Sequence, residues 1–213
     1  MRQAQRDSQG RYSSGSGVCV GFKNGRAAVL TCRHVTGSQT RAVITLADGR
    51  IANATVLRDE DGYDLVLCEF EIESVPGVAL VAGEAPAKGE RITLAGFGGG
   101  RWKELAGSVL GYVGPGVPGG AQRSTRNGYE LAITAESISG DSGGPIFNSK
   151  GETVGILWGG PQQYQNGPMI HTQCASQPAL RTFLTKCGWL IGPDIRITVP
   201  PAAAAPVMPS LPT

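Results

Sequence analysis

Gly17-Val18-Cys19-Val20-Gly21-Phe22-Lys23-Asn24-Gly25-Arg26-Ala27-Ala28-Val29-Leu30-Thr31 reads as two short apolar runs around an Asn-Gly pair. Asn-Gly fits a two-residue type I′ turn, because both central positions need φ > 0 and the turn matches the twist of the strands it joins. The segment is therefore expected to be a β-hairpin in which Lys23 faces Arg26 and Cys19 faces Leu30. The same grammar recurs along the chain. Asp48-Gly49, Asp61-Gly62, Asn127-Gly128 and Lys150-Gly151 punctuate further β-rich runs at 41–47, 50–58, 64–70, 91–97, 105–113, 128–135, 144–148, 152–158 and 168–173. The strands fall into two groups of about six, with a break near 82–90 where Gly, Pro, Ala and Lys replace β-branched residues. Such spacing predicts an all-β sandwich or barrel.

One helix is expected near the end. Ser176 is its N-cap, Pro178 follows, and Gly188 stops it; Ala179, Phe183 and Cys187 share a stripe beside Leu180 and Leu184. From Val199 the chain turns into a Pro/Ala-rich tail, expected to be extended and unpacked.

Composition narrows the function classes. Glycine contributes 32 of 213 residues, about twice its usual share of roughly 7%, which favours turns and short strands. The net charge of +2 gives no electrostatic case for nucleic acid or an anionic membrane. No apolar run approaches the roughly 18 residues of a membrane helix, and the first 17 residues hold no apolar core of a signal peptide. The compartment is left open, with a cytoplasmic protein or a piece of a longer precursor as the two expectations. Cys19, Cys32, Cys68, Cys174 and Cys187 include no CxxC pair, so no metal site or cofactor is expected and the thiols read as buried and free. In the expected hairpin register Cys32 lies diagonally across from Cys19 on the same face, near but poorly aimed for a bond. Were a disulfide present, Cys19–Cys32 or Cys174–Cys187 would be the pair.

The chemistry concentrates at Gly140-Asp141-Ser142-Gly143-Gly144-Pro145. A serine flanked by glycines lets the backbone turn sharply and present a hydroxyl beside free N–H groups able to hold an oxyanion. A serine hydroxyl needs a base, and the chain has only His34 and His171. The order serine, acid, histidine fails, because Asp194 follows His171 and no βαβ alternation exists. The order histidine, aspartate, serine is met by His34 at the end of an apolar strand, Asp64 just before another, and Ser142.

These motifs together resemble the chymotrypsin/trypsin-fold serine proteases, most closely compact trypsin-like domains of the HtrA type. Gly15-Ser16-Gly17-Val18 resembles their GSG lead-in, Val29 to Val35 their LTxxHV motif, Asp64-Leu65-Val66-Leu67 their DLAL motif, and Gly140 to Pro145 their serine motif. The resemblance covers about residues 15–188 and implies two six-stranded antiparallel β-barrels with a short C-terminal helix. It divides the chain into a flexible segment 1–14, barrels at 15–83 and 84–173, the helix at 174–190 and the tail at 191–213. It implies Ser142 as nucleophile, His34 as general base and then acid, Asp64 as its orienting partner, and the N–H groups of Gly140 and Ser142 as the oxyanion hole. An extended polypeptide substrate would pair with Leu157, Trp158, Gly159 and Gly160 as an edge strand. Glu136, Ser137, Ile138 and Ser139 would line the specificity pocket, with Glu136 as a base acid favouring Lys or Arg and Met169 and His171 as alternative fillers of the pocket floor.

Three departures stand out. Digestive members pair the Asp of the serine motif with a newly cut N-terminal amine, and HtrA-type members usually carry Asn there, so Asp141 must find another partner. The usual disulfides are missing. Only the Pro/Ala tail follows the helix. A protease-fold binding module without activity and a self-processing polyprotein fragment are the alternatives to a serine endopeptidase.

Overall fold

The computed structural model describes residues 2–6, 12–58, 64–113, 130–160, 162–163, 169–170 and 172–189. The expected turns at Asp61-Gly62 and Asn127-Gly128, His171 and the tail from 190 onward lie outside the described residues.

The first half carries β1 (Arg2–Arg6), β2 (Tyr12–Ser16), β3 (Val18–Lys23), β4 (Arg26–Cys32), the one-turn helix α1 (Arg33–Thr36), β5 (Arg41–Thr45), β6 (Ile51–Arg58) and β7 (Leu65–Glu71). They form one antiparallel sheet of seven strands in the order β2-β1-β5-β6-β7-β4-β3. The edge strands β2 and β3 are consecutive in the chain with Gly17 alone between them, so the sheet bends until its two edges meet through the backbone. Among the described residues no ladder joins those edges, and the expected closed six-stranded barrel is here a seven-stranded sheet. The added hairpin comes from residues expected to be a flexible lead-in. Arg2–Ala4 pairs with Val43–Thr45 of β5, and backbone hydrogen bonding to an open sheet edge needs no apolar alternation in the added strand.

The hairpin around Asn24-Gly25 forms, with Lys23 opposite Arg26 as expected. Its register then shifts between Cys19 and Gly21, so Cys19 faces Val29 rather than Leu30. The bulge at Val20 turns the strand over. Val18 and Val20 join a cluster with Leu30 and Cys32, whereas Cys19 joins a different one with Ala27 and Val29. Cys19 and Cys32 therefore face opposite sides of the sheet, and all five cysteines are free.

The second half carries β8 (Arg91–Gly96), β9 (Lys103–Val113), β10 (Glu130–Ile133), β11 (Pro145–Phe147), β12 (Thr153–Gly159), β13 (Gln162–Gln163), β14 (Met169–Ile170), β15 (Thr172–Ser176) and α2 (Gln177–Lys186). Six of these strands close into a barrel in the order β10-β15-β12-β11-β8-β9, while β13 and β14 pair with each other. Ser176 caps α2 by its extended backbone, without a side-chain bond, and Pro178 enters the first turn.

Both faces of the central strands are buried, which explains their uninterrupted apolar runs. In β7, Val66, Cys68 and Phe70 point into the curl of the first sheet against Ile44 and Val56. Leu65 and Leu67 point the other way, into a cluster shared with Ile156 of the barrel and Leu180, Phe183 and Leu184 of α2. The helix thus fills the seam between the halves. Past its end, Trp189 donates its indole N–H to Glu69 of β7, and Lys23 of β3 donates to Gly188 O at 2.7 Å while lying 4.5 Å over the Trp189 ring.

Burial holds the thiols of Cys19 and Cys68 protonated, pushing them up to about 11 and about 12. We expect dithiothreitol to move the melting temperature by less than about 2 °C, whereas loss of a structural disulfide would lower it by about 5 °C or more in a domain this size. Glu130 at the start of β10 is 6% exposed, and its Oε1 has no hydrogen-bond partner among the described residues. Desolvation pushes its carboxyl up to about 7. Below about pH 4 both folded and unfolded chains keep this proton. Between there and about 7 the unfolded chain releases it first, so stability falls as pH rises. Urea unfolding of Glu130→Gln should therefore show a gain over wild type that is about 1–3 kcal/mol larger at pH 8 than at pH 4. An equal difference at both pH values would show that the carboxyl is not held protonated.

Candidate active site

His34 stands where β4 runs into α1, and its side chain is 45% exposed. Asp64 precedes β7 with φ of +53°, a left-handed conformation that aspartate tolerates better than most residues. The turn aims its carboxylate back at α1. Arg33 N–H donates to Asp64 O at 2.7 Å, His34 N–H donates to Asp64 Oδ1 at 2.9 Å, and His34 Nδ1 meets Asp64 Oδ2 at 2.6 Å. A carboxylate accepts, so Nδ1 is the donor of this pair, and in the neutral form of the ring the lone pair is on Nε2. Asp64 is 27% exposed.

Cys32 lies beneath this pair and donates its thiol to Leu157 O at 3.0 Å. Ligand atoms of Cys32, His34 and Asp64 lie within 4.8 Å of one another. We assign no ion to them: burial, with Asp64 adding to it, holds the thiol well above its ordinary range, and Nδ1 and Oδ2 are bonded to each other.

The serine loop is shaped by two glycines in left-handed backbone, Gly140 with φ of +95° and Gly143 with φ of +84°. A Cβ at Gly143 would also collide with Thr31 Oγ1 and the Ser16 carbonyl. Gly99 N–H donates to Ser139 O at 3.3 Å, and Gly144 N–H donates to Asp141 O at 2.8 Å. In a trans peptide the C=O and N–H point opposite ways. Tying down the Ser139 and Asp141 carbonyls therefore turns the Gly140 and Ser142 N–H groups away from these bonds. Ser142 is half-buried, and its carbonyl accepts from Ser16 N–H at 2.8 Å. A Cβ at Gly15 would lie 2.7 Å from the Val35 methyls and 2.8 Å from Ser142 O, so α1, which carries His34, and Ser142 converge on that glycine.

The neighbouring residues divide. Ser137 is buried with its hydroxyl toward Gly160, where a Cβ would lie 3.3 Å from Ser137 Oγ. Glu136, Ile138 and Ser139 are exposed, and water screening of Glu136 argues against a desolvated acid at a pocket base. Leu157 is not free for an incoming strand: its N–H donates to Gly144 O at 2.9 Å and its carbonyl accepts from Gly143 N–H at 2.7 Å. Those bonds continue the β11–β12 ladder into the serine loop. Trp158 lies at a register shift between Leu157 and Gly159.

Asp141 is fully buried. Its Oδ1 accepts from Gly98 N–H at 2.7 Å, its Oδ2 accepts from Ile138 N–H at 2.9 Å, and Lys103 Nζ lies 2.8 Å from Oδ2. The partner that the sequence left open for Asp141 thus comes from Lys103 and from the glycine-rich stretch Gly96-Phe97-Gly98-Gly99-Gly100. The missed signal was glycine itself: a Cβ at Gly96 would lie 2.6 Å from Asp141 Oδ1, and one at Gly98 would collide with the carboxylate.

The Serine protease Do-like HtrA of Bacillus subtilis is 31% identical to this chain over 148 residues, 67% of this chain and 32% of that protein. The chain spans about a third of the length of the curated relatives it matches. Among solved structures, the active form of the Rv3671c protease from Mycobacterium tuberculosis matches with a TM-score of 0.68 at 18% identity, covering 88% of this chain and 79% of that one. The HtrA-type protease AlgW with a decapeptide matches with a TM-score of 0.67 at 18% identity, covering 84% and 53%. The trypsin-like peptidase domain family matches residues 15–156, from the GSG lead-in through the serine loop to β12, and the chain belongs to that family.

Proposed function

We propose that this chain is a serine endopeptidase domain in which Ser142 is the nucleophile, His34 the general base and acid, and Asp64 the group that orients His34. The observation that carries the reading is the 2.6 Å contact of His34 Nδ1 with Asp64 Oδ2 in a chain of the trypsin-like peptidase family. With Nδ1 occupied, Nε2 takes the proton of Ser142 Oγ as the oxygen attacks the scissile carbonyl carbon. The carbonyl π pair moves to its oxygen, which the N–H groups of Gly140 and Ser142 hold. Collapse of that adduct breaks the C–N bond; His34 gives its proton to the leaving amine, and the acyl group stays on Ser142. Water repeats the sequence and frees the acid.

The substrate in this reading is an extended polypeptide lying along Trp158 and Gly159, the part of β12 beyond the bonded Leu157, and along Gly160 just past its end. The decapeptide carried by the similar AlgW structure supports this class of ligand. Ser137, with its hydroxyl near Gly160, and Ser139 flank the approach. In the same reading the curled first sheet is the counterpart of a first barrel, and the closed barrel is the second; it runs on through β15 to Ser176, past the expected boundary at 173, so that α2 at Gln177–Lys186, rather than all of 174–190, is the helix that packs across both.

A fluorophosphonate probe should label the wild type, and Ser142→Ala should not label. His34→Ala should lose on the order of 10⁴–10⁶ in peptidase rate. Equal labelling of wild type and Ser142→Ala removes Ser142 from this role, and a silent wild type favours a binding module. Because Glu136 is exposed, cleavage profiles of wild type and Glu136→Gln on a peptide library should agree within about twofold for basic against apolar residues. A preference for Lys and Arg that collapses in Glu136→Gln would return the acid to the pocket.

A further inference from the structure

We propose that Lys103 is a positioning residue for the serine loop: its ammonium is the charge partner that lets Asp141 stay buried, and buried Asp141 keeps the flanking Gly140 and Ser142 N–H groups aimed outward. The effect on turnover rests on the protease reading above, whereas the effect on the loop does not.

Asp141 has no exposed surface and, among the described residues, three polar partners: the Gly98 and Ile138 N–H groups and Lys103 Nζ. Two neutral donors leave a full negative charge out of water, a costly arrangement unless a cation is close and well placed. Lys103 supplies it at 2.8 Å while its own side chain keeps 24% exposure, so the lysine is only partly desolvated. The geometry is built by the β8–β9 ladder. Gly96 at the end of β8 lies opposite Lys103 at the start of β9, and the missing side chain at Gly96 leaves the space that Asp141 Oδ1 occupies. The turn between them is braced by an edge-to-face contact of Phe97 and Trp102 at 5.2 Å. Phe97 N–H donates to Ser16 Oγ, which donates to Gly140 O, both at 2.8 Å.

Asp141 sits between Gly140 and Ser142, and its carboxylate ties Gly98 N–H to Ile138 N–H across the turn, so both braces of the 138–142 segment are lost when the carboxylate leaves the pocket. Unpaired, it is driven toward water, and that movement takes the N–H groups out of register with a developing oxyanion. The cation comes from a strand of the same barrel, so the charge balance of the loop does not depend on a chain end.

The test compares wild type, Lys103→Met, Lys103→Arg, Asp141→Asn and the double variant Lys103→Met/Asp141→Asn. Two quantities are read: the second-order rate of fluorophosphonate labelling, and amide hydrogen exchange over 138–144. Lys103→Met should label about 100-fold more slowly and exchange at least about tenfold faster in the loop. Lys103→Arg should stay within about fivefold of wild type, since it keeps the charge. In the double variant no charge is buried, so labelling should recover at least about tenfold over Lys103→Met, a coupling that loss of the lysine stem alone would not give. Equal labelling and exchange in Lys103→Met overturn the proposal. So do slow labelling with unchanged exchange, which would put Lys103 on the substrate, and a double variant no better than Lys103→Met. Failure of Lys103→Met to fold with recovery in the double variant supports the coupling; failure of both overturns it. A wild type that does not label, with loop exchange faster in Lys103→Met, ends the protease reading and leaves this assignment standing.

Discussion

Ser16 carries the constraint on which the site depends. It is buried, and four hydrogen bonds converge on it from separate parts of the chain. Its N–H donates to Ser142 O, its carbonyl accepts from Thr31 Oγ1, and its hydroxyl donates to Gly140 O while accepting from Phe97 N–H. One side chain and its peptide groups thus tie the last strand before the His34 turn, the serine loop and the glycine loop of the barrel. No polar group of Ser16 is left unsatisfied, which makes a buried hydroxyl stabilising rather than costly. Gly15 beside it admits Val35 and Ser142 O together, a contact that any side chain would push apart.

Around this polar knot the two halves are held by apolar burial. The cluster that joins Leu30 and Leu67 of the sheet to Ile156 of the barrel also takes in Leu180, Phe183 and Leu184 of α2. Burying side chains of this size contributes roughly 1.5–3 kcal/mol each, and the helix is too short to stand alone in water. It exists because the seam needs an apolar filler, and the seam closes because the helix fills it. Lys23, Glu69 and Trp189 fasten the far end of that helix to the sheet. The division of labour is physical: non-directional burial sets the distance between the halves, and directional bonds at Ser16 set their register.

Much of this was legible before any coordinates. Asn24-Gly25 placed Lys23 against Arg26, the β-rich runs located β3 to β12 to within a few residues, and the side chains of His34 and Asp64, named as partners from their order, meet at 2.6 Å. Each of these signals is local, or is a residue type that few roles can explain. The lead-in strands β1 and β2 were not legible, because their pairing rests on backbone bonds to β5 and leaves no apolar alternation to read. The bulge at Val20 was equally silent, since one unpaired residue reverses which side chains face which cluster without changing composition.

Periodicity and side-chain type are written residue by residue, so the β-rich character, the punctuation of the hairpins, the absence of paired cysteines at binding spacing and the candidates His34, Asp64 and Ser142 could be read from the sequence alone. Tertiary structure alone decided that Asp141 is matched by Lys103, that Leu157 is an interior rung rather than an open edge, that Glu136 faces water and that a glycine loop is a cradle for a carboxylate. Those outcomes turn on which surfaces meet when a sheet curls and a barrel closes. Burial and charge compensation are properties of the space between segments, and no single segment holds them.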